Sequence, residues 1–98
     1  MRMLVVVAYD IAASDAAGRR RLYRVSKICS RWGTSVQHSL YECEVNAEEY
    51  RRLEAEIAGA ICRELDSIRI YRLGNRFQNR VITLGRAGKL WEQERYVL

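Results

Sequence analysis

The most apolar stretch of the chain ends in a single carboxylate: in "MRMLVVVAYDI", Leu4, Val5, Val6 and Val7 run on to Asp10. A strand that is apolar on both faces belongs inside a sheet, so the acid marks the point where a buried strand reaches the surface. Two readings of Asp10 stay open. It is either a loop acid hydrogen-bonded to nearby backbone N–H groups or a metal ligand. Magnesium takes one or two carboxylates and keeps several waters. One Asp10 from each of two subunits at a two-fold axis would therefore make an open Mg²⁺ site for phosphodiester chemistry.

A second group of residues suits polyanions. Arg20, Arg24, Lys27 and Arg31 recur at i, i+4, i+7 and i+11. At about 100° per residue on a helix they cluster within about 60° of one another. No acid lies between Gly18 and Trp32, so ion pairs at i, i+4 do not account for them. The basic rail is ~16 Å long at ~1.5 Å per residue. Duplex DNA presents one phosphate charge per ~1.7 Å, so several backbone contacts fit, without sequence specificity. The competing reading is a solvated face that keeps the protein soluble.

Other candidates are weaker. His38 is either a general base or a half-buried strand residue. Tyr9, Tyr41 and Tyr71 are base-stacking or core tyrosines. Cys29, Cys43 and Cys62, without C-x-x-C spacing and with one histidine in the chain, read as small buried hydrophobes in a reducing compartment. There is no Walker loop, no G-x-G-x-x-G and no nucleophilic triad, so any chemistry is metal plus water.

The elements that must position these residues follow from periodicity. At 98 residues the chain is one domain, which buries only roughly 60–65% of its unfolded surface. The net charge of +5 favours polyanions as partners. The N-terminal apolar run is too short for a membrane span and lacks a signal-peptide cleavage pattern, so a cytoplasmic location is expected. Met3–Tyr9 is the first strand. Ser14 and Asp15 offer N-cap chemistry to a helix whose stripe is Leu22, Val25, Cys29 and Trp32 and which closes at Gly33. Residues 34–45 alternate with period two, as one bent strand or two short ones. Asn46 and Glu49 form a capping-box pattern ahead of a second helix with Tyr50, Leu53, Ile57 and Ile61 as its stripe. Residues 66–73 alternate as another strand. Shorter ones are expected at Val81–Leu84 and in the terminal "RYVL".

That order predicts an α+β, ferredoxin-like βαββαβ sandwich with an additional C-terminal strand. Two helices cover one sheet face, so the first strand needs a second cover, and a two-fold homodimer is the simplest one.

The strand-final "YDI", the helix "GRRRLYRVSKIC", the strand "VQHSLYEC" and "DSIRIYRL" together resemble the Cas two family of CRISPR-associated spacer-acquisition proteins, in order and over nearly the whole chain. The resemblance implies a homodimer whose C-terminal segment, residues 85–98, crosses to the partner subunit. It implies that Asp10 matches the aspartate proposed to hold a divalent metal between subunits. Tyr9 and Asp10 match its "YD" pair, Arg20, Arg21 and Arg24 fall in its basic helix, and Ser39, Tyr41 and Glu42 fall in its S-[VL]-[FY]-E stretch. Ser35 stands where many relatives are basic. Two activities attach to the family: Mg²⁺-dependent cleavage of single-stranded RNA or duplex DNA, and a scaffold role bridging integrase dimers of the Cas one type. For the scaffold, "GKLWEQERYVL" with Trp91 is the candidate docking tail. The competing expectation is a ferredoxin-like toxin-type ribonuclease or RNA-binding module unrelated to CRISPR.

Overall fold

The structure is a computed structural model that describes residues 1–85. Its elements run β1 (Met3–Asp10), α1 (Ala16–Trp32), β2 (Thr34–Gln37), β3 (Leu40–Val45), α2 (Ala47–Ala60) and β4 (Ser67–Gly74). The strands form one sheet in the order β2-β3-β1-β4, each neighbour antiparallel. This is the expected βαββαβ sandwich.

The core shows why one face is covered. Val5 and Val7 of β1 meet Cys43 and Val45 of β3, and on these pack Val25, Ile28 and Cys29 of α1 with Leu53, Ile57 and Ala60 of α2. Successive strand side chains point to opposite faces. Val5 pairs with Cys43 in register, so the helices lie on the odd-numbered face of β1. The even-numbered face carries Leu4, Val6, Ala8 and Asp10, flanked by Leu40, Glu42 and Glu44 of β3 and by Ser67, Arg69 and Tyr71 of β4. Leu4 is buried apart from the core cluster.

Local chemistry sets the element ends. Asp15 caps α1, its carboxylate accepting from the Gly18 N–H at 2.8 Å. In the α2 capping box, Asn46 Oδ1 accepts from the Glu49 N–H at 2.8 Å and Glu49 Oε1 accepts from the Asn46 N–H at 2.9 Å. Gly33 closes α1 by donating to the Cys29 carbonyl at 2.9 Å, yet its backbone is extended rather than left-handed. Glycine is required there for another reason. A Cβ at this position would strike the Glu42 carbonyl and the Cys43 sulfur, so the absence of a side chain lets the chain leave α1 in contact with β3.

One open alternative is settled and one expectation changes. Residues 34–45 are two strands joined by the turn His38–Ser39, with Ser39 at φ 63°. No Gly or Asn marks the reversal, which is why the pattern leaves one strand or two undecided. Val81–Leu84 is not a strand. Ile82 and Leu84 are 82% and 87% exposed, and a strand needs a hydrogen-bonded neighbour, which this segment lacks among the described residues. The expected exchanged tail, Trp91 and the "RYVL" strand lie outside the described residues, 85 being the last of them.

Candidate functional site

Asp10 ends β1 between two neighbours. Ser67 of β4 is its register partner on one side. On the other lies the His38–Ser39 turn, because the Tyr9 N–H donates to the Ser39 carbonyl at 3.1 Å. Asp10 is exposed and shares the helix-free sheet face with Val6 and Ala8. His38 is exposed in the turn rather than half-buried in a strand.

Tyr9 takes the other face. Its hydroxyl and that of Ser26 on α1 share a hydrogen bond of 2.8 Å, and its ring stacks on Tyr41 with centroids 6.2 Å apart and planes at 21°. The Tyr41 hydroxyl reaches Ser30 Oγ at 3.3 Å. Burial pushes the Tyr9 phenol above its ordinary value, with the Ser26 hydrogen bond acting in opposition. Both tyrosines therefore lie beneath α1, and the adjacent pair Tyr9 and Asp10 divides across the sheet. Cys29 and Cys43 are buried in the core, which pushes their thiols up to about 12 and about 11. They are packing residues, as the sequence suggests, whereas Cys62, read the same way, is only half-buried, with its Sγ 3.4 Å from Glu64 Oε1.

Among the described residues no three His, Cys, Asp or Glu side chains gather as a metal site. The single exposed carboxylate of Asp10 would fit a magnesium ion only as one of its ligands, the others being water or groups of a second chain.

The basic helix divides as well. Arg20, Arg24 and Lys27 are exposed on the outer face. With Arg19 they surround Tyr23, which is 65% exposed and lies 5.6 Å from Lys27 Nζ at its ring centroid. Arg31 pairs with Glu56 of α2 at 2.7 Å, and the same oxygen accepts from Trp32 Nε1 at 3.0 Å. The Trp32 indole and the Arg31 guanidinium hold the Glu56 carboxyl below its usual range. The absence of acids along α1 therefore does not leave Arg31 alone, because its partner comes from another helix.

Arg21 turns inward. Its Nε donates to Asp66 Oδ2 at 2.7 Å and its Nη2 to Asp66 Oδ1 at 3.2 Å. The Asp66 side chain is fully buried and also accepts from the backbone N–H groups of Cys62 at 2.8 Å and Ala12 at 3.0 Å. The Arg21 guanidinium, joined by these N–H groups, draws the Asp66 carboxyl down to about 2. Sequence reasoning missed Asp66. Its one local signal is an acid directly before a strand, and its partner is 45 residues away.

Comparison with known proteins identifies the family. The family model described as CRISPR associated protein Cas2 matches residues 3–81. The "CRISPR-associated endonuclease Cas2" of Halalkalibacterium halodurans is 41% identical over 85% of this chain and 86% of its own length. The "CRISPR-associated endoribonuclease Cas2" of Chlorobaculum tepidum is 42% identical over 81% of this chain and 82% of its own. The crystal structure of Streptococcus pyogenes Cas2 at pH 6.5 superposes with a TM-score of 0.72 at 42% identity, covering 85% of this chain and all of that one. A module unrelated to CRISPR is thereby set aside. The two-layer fold, the family match across residues 3–81 and relatives 41–42% identical over most of the chain agree, and the chain belongs to the Cas2 family of CRISPR-associated proteins.

Proposed function

We propose that this protein acts in CRISPR adaptation as a nucleic-acid-binding homodimer, cleaving phosphodiesters of single-stranded RNA or duplex DNA with Mg²⁺ held by Asp10 of each protomer. The observation that carries the reading is Asp10 itself, exposed at the end of the central strand on the sheet face that neither helix covers. A two-fold copy applied to that face would cover Val6 and Ala8 and bring a second carboxylate to the first. The endonuclease and endoribonuclease names of the relatives support the same chemistry.

Within each protomer, β1 carries the carboxylate to the surface while its register partners in β3 and β4 fix the strand end. When bound, the cation would supply positive charge to the phosphodiester as negative charge develops there. Arg20, Arg24 and Lys27 hold phosphates through charge. No helix of the described residues is long and apolar enough to cross a membrane.

The test is cleavage of labelled single-stranded RNA and duplex DNA by protein verified as a folded dimer, with Mg²⁺, with chelator and with Asp10→Asn. Mg²⁺-dependent cutting that disappears in Asp10→Asn is the expected result. Equal cutting by the variant, or none by the wild type, would overturn the metal role of Asp10.

A second reading rests on a different observation. The basic cluster lies on the outer side of α1, across the sandwich from Asp10, so nucleic acid held there by one protomer does not reach that protomer's carboxylate face. This favours a DNA-holding scaffold that bridges integrase dimers of the Cas one type. DNA binding that survives Asp10→Asn and is lost when Arg20, Arg24 and Arg31 become alanine supports it.

A further inference from the structure

The chain leaves Asp10 through Ile11 and meets a clamp at Ala12. The Ala12 N–H donates to Asp66 Oδ1 at 3.0 Å, and the Ala12 carbonyl accepts from Arg21 Nη2 at 3.2 Å. Both ends of that residue are therefore held by one ion pair. The pair is closed by the two Arg21–Asp66 contacts and by the Cys62 N–H on Asp66 Oδ2 at 2.8 Å. Asp66 directly precedes Ser67, the register partner of Asp10. Gly18 completes the enclosure, since a Cβ there would strike the Ala12 carbonyl. One carboxylate thus ties the end of β1, the start of α1, the α2–β4 connection and the start of β4 to one another, two residues from Asp10.

We propose that Arg21 and Asp66 are positioning residues for Asp10, setting the direction of its carboxylate through the Ala12 peptide, and that Arg21 is not a phosphate contact although it lies in the basic helix. The inference rests on the reading of Asp10 as a metal ligand. A planar guanidinium meets both carboxylate oxygens and a neighbouring carbonyl at once, whereas a lysine supplies the charge from a single point. Outer groups that orient a ligand change metal affinity by about 10–100-fold when removed. The clamp is built for orientation, because its charges are spent on each other and on backbone groups.

The test uses Mn²⁺ as the probe, its binding followed by electron paramagnetic resonance, together with amide hydrogen exchange of residues 10–13. Dimeric wild type, Asp10→Asn, Arg21→Lys, Asp66→Asn and Arg24→Ala are compared. Arg21→Lys and Asp66→Asn are expected to bind Mn²⁺ at least about tenfold more weakly. They should exchange the 10–13 amides at least about tenfold faster, and bind duplex DNA with unchanged affinity and salt slope. Arg24→Ala is expected to do the reverse, keeping Mn²⁺ binding and slow exchange while lowering the salt slope. If Asp66→Asn does not fold, Arg21→Lys carries the test, since it retains the charge. Wild-type Mn²⁺ affinity and exchange in Arg21→Lys would overturn the proposal. So would a loss of DNA affinity in that variant with the metal site and the 10–13 amides undisturbed. Should the wild type bind Mn²⁺ no better than Asp10→Asn, the metal reading has failed. The exchange rates then decide the positioning claim alone.

Discussion

Arg21 and Arg24 are less than one helical turn apart on α1, yet one is spent on architecture and the other faces solvent. The inner side of α1 turns Arg21 toward a fully buried carboxylate, with Arg21 itself only 17% exposed. The outer side presents Arg20, Arg24 and Lys27 around Tyr23, none of them in an ion pair among the described residues. The difference teaches that counting charges on a helix overstates its capacity for phosphates. A guanidinium over the core must be paired, because an unpaired buried charge is costly, whereas one over solvent need not be.

The largest effect expected of this contrast is on stability. Asp66→Ala strands the Arg21 guanidinium and the Ala12 and Cys62 N–H groups, and should cost roughly 2–4 kcal/mol in urea denaturation. Arg24→Ala should stay within about 0.5 kcal/mol. Similar losses in both would erase the distinction between the two sides.

Acid should separate them next. The Asp66 carboxyl is held at about 2, below its ordinary 3.8, chiefly by Arg21. A depressed carboxylate stabilises the fold above its unfolded value, and that stability is lost as pH falls from about 3.8 through about 2. Thermal melts across this window should show the loss in the wild type. The part of the slope owed to Asp66 should be missing in Asp66→Asn, and an identical slope in the two proteins would contradict the clamp.

On the outer side the readout is salt. Each phosphate contact removed by Arg20→Ala or Arg24→Ala should lower the slope of log K against log salt by about 0.9 on duplex DNA. Arg31→Ala should change it less, because Arg31 is shared with Glu56. The smallest effect is the converse one. Glu56→Gln leaves a neutral partner beside Arg31 and should strengthen DNA binding about twofold at low salt, fading as salt is raised. Measuring the three arginines separately shows whether the rail is four residues long or three.

Much of this was legible because it is local. The stripe of Val25 and Cys29, the Asp15 and Asn46 caps and the alternation of β4 repeat within a few residues, and periodicity reports them directly. Asp10 as the exposed end of a buried strand was legible for the same reason. The His38–Ser39 reversal was not, because serine at a positive φ leaves no mark in composition. Val81–Leu84 misled because its residues favour strands while pairing depends on a neighbour.

The sequence by itself determined which segments are helices, where the central strand lies and that its last residue is a carboxylate, since each follows from hydrophobic period and capping within one segment. Only the tertiary structure decided which charges are available. Arg21 finds Asp66 across 45 residues and Arg31 finds Glu56 across 25. Tyr9 is half-buried beneath α1 while Asp10, one residue on, faces the open side of the sheet. Pairing and facing depend on which elements pack together, and that is set by the whole core rather than by any local stretch of chain.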